Sequence, residues 1–107
     1  MTILEKVRSI LKEHIGETLS RSEIIDRVVK KYPGTKRNSV LPSDYCYNRY
    51  NIGILFDIHI LEYCGRDKYK VLGEDYSYNG DIFWRKKGDD KDSIVGRWVN
   101  GEKHLYC

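Results

Sequence analysis

The side chains best suited to chemistry lie in one stretch, Tyr32 to Asn51, which reads YPGTKRNSVLPSDYCYNRYN. Lys36, Arg37 and Asn38 stand together in it. Lysine and arginine bind phosphate or a guanine edge, and asparagine pairs with adenine through two hydrogen bonds. Ser39 and Ser43 add hydroxyl donors for phosphate. Lys30 and Lys31 extend the charge upstream, and no carboxylate interrupts the run from Arg27 to Arg37. Arg49 sits among Tyr45, Tyr47 and Tyr50. Those rings either stack on an exposed base or fill a core with their hydroxyls bonded to backbone, the commoner fate. Together these residues suit a polyanion, although any one basic cluster can equally be solvated surface.

Other chemistries are less well supplied. Cys46, Cys64 and Cys107, with His59 or His104, carry the right atoms for zinc, but their spacings are wide and no pair is local. Buried thiols are the commoner outcome, so no metal or cofactor is expected. Asp89, Asp90 and Lys91 resemble part of a nuclease metal site only faintly. No phosphate-binding glycine loop is present, and no nucleophile stands at motif spacing from a histidine. The chain is therefore not expected to be an enzyme. An odd number of cysteines without C-x-x-C spacing, no apolar leader and no apolar run of about 18 residues imply no membrane and a reducing, cytoplasmic setting.

A chain of 107 residues that is 40% hydrophobic and 33% charged fits one globular domain. The formal net charge of +3 is small, so its distribution matters more than its size. Arg85, Lys86 and Lys87 form a second basic cluster. Acids gather at Glu74 and Asp75 and again at Asp89, Asp90 and Asp92.

The elements that position these groups follow from periodicity and capping. Thr2 and Glu5 have capping-box spacing ahead of Ile3, Leu4, Val7, Ile10, Leu11 and Ile15, which predicts a helix ended by Gly16. Ser20 and Glu23 repeat the box ahead of Ile24, Ile25, Val28, Val29 and Tyr32, and Pro33 and Gly34 stop that second helix. Thr35 is placed to cap a third helical segment running to about Asn48, with Val40 and Leu41 as its core contacts. Pro42 kinks that segment or splits it into two pieces. After Gly53 the pattern alternates. ILFDIHILEYCG and KYKVLG, joined by GRD, predict a β-hairpin. Asn79-Gly80 and Asn100-Gly101 mark turns in a β-rich tail, and GDDKDS reads as an exposed loop.

Helix, helix, broken helix and hairpin is the layout of a winged helix. SVLPSDYCYNRYN, Ser39 to Asn51, followed by ILEYCGRDKYKVLG, Ile60 to Gly73, resembles a winged-helix-like module of bacterial and phage proteins. Such modules occur alone or beside HNH-type nuclease domains. The resemblance covers about the first two thirds of the chain. It implies DNA recognition, with any cleavage left to another domain. The expected fold is thus α+β: three N-terminal helices plus a hairpin wing, with a C-terminal β-hairpin extension. A single domain, 1–107, would comprise a core at 1–73 and a β-rich extension at 74–107.

The expected function is binding of duplex DNA through the third helix and the wing. Lys30, Lys31, Lys36, Arg37, Asn38, Ser39, Ser43 and Arg49 would contact it, with Arg66 and Lys68 at the wing tip. The alternative is a small phage or bacterial protein-interaction module that inhibits or regulates a host nucleic-acid-processing or defence complex. It would present its acidic segments with Trp84 or Trp98 as anchors.

Overall fold

A computed structural model of the chain describes residues 1–51 and 57–106. Helix α1, Ile3–Leu11, carries the expected capping box: Thr2 and Glu5 exchange side-chain and backbone hydrogen bonds. Val7, Ile10 and Leu11 are its buried face. The helix stops a turn before Ile15, which is exposed. Tertiary pairing explains the early stop. The Gly16 N–H donates to the Val71 carbonyl and the Val71 N–H to the Glu17 carbonyl, drawing the chain into a strand. That strand, β1 at Thr18–Ser20, was not foreseen. Helix α2, Arg21–Lys31, begins on the second capping box and buries Ile24, Ile25 and Val28.

The expected third helix does not form. In its place are two 3₁₀ turns, Arg37–Ser39 and Pro42–Tyr45, with Val40 extended between them. Pro42 lacks an N–H and disfavours helical backbone at Leu41. Asn38 and Ser39 favour turns over helix interiors. Thr35 does not cap either: its hydroxyl donates to the Tyr32 carbonyl and accepts from Lys6 Nζ. Val40 is fully buried as expected, whereas Leu41 faces solvent.

The expected winged helix, three N-terminal helices plus a wing, is therefore overturned, while the α+β class stands. Strands β2, Leu61–Tyr63, and β3, Lys68–Val71, do pair antiparallel, but as part of a three-stranded sheet ordered β1-β3-β2. The first half of the expected Gly53–Gly65 strand falls partly outside the described residues. The tail is a second three-stranded sheet rather than one hairpin: β4, Gly80–Trp84, β5, Ser93–Val99, and β6, Glu102–Leu105. Asn100-Gly101 makes the β5–β6 turn with φ of 50° and 82°, as a two-residue hairpin requires. Asn79-Gly80 joins no two strands and instead opens β4.

The two sheets are zipped together by the stretch after the second 3₁₀ turn. Cys46 forms a parallel bridge to Leu61 and Arg49 one to Phe83. The Tyr47 N–H donates to the Leu61 carbonyl on β2, while on β4 the Phe83 carbonyl accepts from the Tyr50 N–H and the Phe83 N–H donates to the Asn48 carbonyl. Its side chains divide accordingly. Tyr45 and Cys46 join the helical core, and Tyr47 packs with Tyr78, Ile82 and Trp98 under the second sheet. Among the described residues no helix is long and apolar enough to cross a membrane.

Candidate nucleic-acid interface

The β2–β3 turn is the hub of the basic surface. Gly65, Arg66 and Asp67 all have positive φ, of 85°, 51° and 58°. Two successive non-glycine residues in this region are uncommon and mark a tightly held turn. The Asp67 carbonyl accepts from the Arg21 N–H at 3.0 Å, seating the turn on the first turn of α2.

Asp67 borders two clefts. The first, of about 370 Å³, is lined by Ser20, Arg21, Ser22 and Ile25 of α2's start and by Arg37 and Asn38 of the first 3₁₀ turn. Arg37 is held there by Asp26, 2.6 Å away, with both side chains more than half exposed. The second, of about 220 Å³, is lined by Ser43, Arg49, Tyr63, Tyr69, Arg85 and Asp92. In it the Asp92 carboxylate bridges Arg49 at 3.0 Å and Arg85 at 3.1 Å, and the Arg49 guanidinium lies 5.8 Å from the Tyr63 ring centre. The Arg49 hydrogen bond, then the two arginine charges, hold the Asp92 carboxyl below its ordinary range. Burial pushes the Tyr69 hydroxyl up to about 12, so that ring is a neutral wall at any physiological pH.

Of the ten expected contact residues, Arg37, Asn38, Ser43 and Arg49 line these clefts, and Arg66 and Lys68 flank Asp67 at their shared edge. Lys36 and Ser39 are exposed at the ends of the first 3₁₀ turn. Lys30 and Lys31 do not join the group. They end α2, about 15 Å of helix from its start, and Lys31 Nζ turns to Ser9 on α1 at 2.9 Å. Sequence reading missed Arg21, Ser22 and Arg85 as site residues. The Ser20 capping box could have flagged the first two, since it fixes them in a helical first turn. Nothing local could place Arg85 beside Arg49, 36 positions away.

The arrangement offers guanidinium groups, seryl hydroxyls and an asparagine amide on both sides of one turn, a donor set for phosphate oxygens. Its carboxylates, Glu23, Asp26, Asp67 and Asp92, are fewer than its basic groups, Arg21, Arg37, Arg49, Arg66, Lys68 and Arg85. Trp98, expected as an exposed anchor in the alternative reading, is buried and donates its N–H to the Tyr47 carbonyl at 2.7 Å. Among the described residues no three His, Cys, Asp or Glu side chains converge on a metal position, and Cys107 lies outside those residues.

A family model described as a domain of unknown function, DUF7225, matches residues 2–105. The chain belongs to the DUF7225 family. It is also 50% identical over 105 residues to the "Uncharacterized protein YnaC" of Bacillus subtilis (strain 168). That match takes in 98% of this chain and 40% of the relative, so this DUF7225 chain spans well under half of the curated relative's length. No solved structure matches the chain.

Proposed function

We propose that this protein binds the phosphate backbone of duplex DNA on the surface around the β2–β3 turn. The observation that carries this reading is that Asp67 borders both clefts. One turn thereby gathers basic groups from the start of α2, the first 3₁₀ turn, the Arg49 segment and the end of β4. A 3₁₀ turn of three residues is too short to read a major groove as a recognition helix does. The mode proposed is therefore backbone contact with little base selectivity. Cys46 and Cys64 are free thiols, in keeping with a reducing compartment such as the cytoplasm.

Fluorescence anisotropy with a labelled duplex tests the proposal. About four phosphate contacts predict that affinity falls roughly 100-fold between 50 and 200 mM salt. Reversing two exposed charges together, Arg37→Glu with Arg66→Glu, should weaken binding by roughly tenfold or more. The matched pair Lys30→Glu with Lys31→Glu should change it far less. Equal losses from both pairs, or salt-independent binding, would overturn the assignment. A protein captured in stoichiometric amount from nuclease-treated lysate, with no DNA affinity, would favour the protein-interaction module instead.

A further inference from the structure

On ground that shares no residue with the basic clefts, a cavity of about 430 Å³ opens between the segment after β3 and the second sheet. Four aromatic rings line it: Tyr47, His59, Tyr76 and Trp98. Two of the ring pairs meet nearly at right angles. Trp98 stands 5.1 Å from Tyr47 at 75° and 5.1 Å from His59 at 78°. The polar handles of three of these rings are engaged with backbone. Trp98 donates to the Tyr47 carbonyl, Tyr47 donates to the Gly73 and Glu74 carbonyls, and His59 Nδ1 is 3.2 Å from the Cys46 carbonyl. Ring faces and edges are therefore what these side chains have left to offer.

The rim is acidic, with Asp57, Glu74 and Asp75. Arg8 pairs with Glu74 at 3.0 Å, and Lys103 pairs with Asp57 at 2.6 Å. Asp75 has no ion pair among the described residues. Lys103 itself shows what this wall accepts. Its ammonium lies 5.8 Å from the Trp98 ring centre while bonded to Asp57, a cation held by an aromatic ring and a carboxylate together. Lys103 does so from a neighbouring cleft and leaves this cavity open.

Aromatic faces attract cations, most strongly where water is excluded. A carboxylate beside them adds charge-assisted hydrogen bonds and repels phosphate. The volume is within the range of small-ligand pockets. We propose that this cavity binds a small organic cation with a guanidinium or alkylammonium head. The charge would rest among Tyr47, Tyr76 and Trp98, with its N–H groups donating to Asp75.

Calorimetric titration of the full chain with butylguanidinium and with butylurea tests this, because the two share a shape and differ in charge. Butylguanidinium should bind saturably, and butylurea roughly tenfold more weakly. Asp75→Asn and Tyr76→Ala change exposed side chains, and each should weaken butylguanidinium about fivefold without moving the denaturation midpoint. Asp90→Asn, in the β4–β5 loop, should leave binding unchanged. Equal binding of the urea, no saturation up to about 10 mM, or unaltered affinity in both cavity variants overturns the proposal. An acetyl-Gly-Arg-Gly-amide peptide separates the two sources of such a head. Binding no tighter than butylguanidinium supports a free small ligand, and binding much tighter overturns that assignment in favour of a partner's arginine.

Discussion

The carboxamide of Asn48 donates to the Tyr63 carbonyl at 2.9 Å and accepts from the Tyr63 N–H at 2.8 Å. A side chain thus completes the β2 edge as a neighbouring strand would, while the Asn48 carbonyl accepts from the Phe83 N–H of β4. Asn48→Ala leaves both Tyr63 backbone groups without these partners. It should cost about 2 kcal/mol in urea denaturation, with Asn48→Asp intermediate because only the acceptor survives. Asp92 supplies a second test at this scale. Its carboxyl is held low by Arg49, and that of Asp57 by Lys103. A folded-state value below the unfolded value of about 3.9 makes the unfolded chain take up its proton first. The stabilisation is complete above about pH 4 and is lost as pH falls through the lowered folded values. The denaturation midpoint should therefore drop as pH falls below about 4, and Asp92→Asn should flatten that drop. The sequence displayed the residue types of the site but not their partners: Arg49 was visible as a cation, whereas its clamp by an aspartate 43 positions away was not.

Elements with local causes were legible, and those with distant causes were not. Both capping boxes and the Asn100-Gly101 turn are fixed within a few residues, and all three appear as read. Strand β1 has three residues and exists because β3 pairs with it across some fifty positions, which no periodicity announces. The third helix failed because Pro42 and the Thr35 hydroxyl divert the backbone, and because the tyrosines beyond them serve two cores as an extended connector. The close pairing of β5 with β6 yields a prediction of its own. Gly96 faces Leu105 in register, and a Cβ added there would stand 2.5 Å from the His104 carbonyl oxygen. That oxygen is backbone and cannot swing away. Gly96→Ala should push β6 from the sheet at a cost of about 1–3 kcal/mol. Hydrogen exchange should show lost protection at the β5–β6 amides while the α2 amides keep theirs.

At the scale of the whole molecule, the question is whether two small sheets fold as one unit. The helices and the β1-β3-β2 sheet share one core, and Tyr47, Tyr78, Ile82 and Trp98 form another. Neither is large, and a body of this size has little stability to divide. The Cys46–Tyr50 segment denies them independence, because its backbone is hydrogen-bonded to β2 on one side and β4 on the other. The Tyr78 hydroxyl reinforces the join by donating to Glu62 of β2 at 2.7 Å. Both tryptophans, Trp84 and Trp98, belong to the second sheet, and the two α-helices among the described residues belong to the first body, so two optical probes report on the two halves separately. Tryptophan fluorescence and far-ultraviolet circular dichroism should give coincident urea transitions, as a single cooperative unit requires. Ending the chain at Gly73 removes Trp98 and Tyr78 and strips the cover from Tyr47. The remaining helices should then unfold rather than persist as a stable core. Two separated transitions in the full chain, or a cooperatively folded 1–73 fragment, would show that the connector carries no coupling and that the basic surface, which draws on Arg49 and Arg85 together, is assembled from halves that move apart.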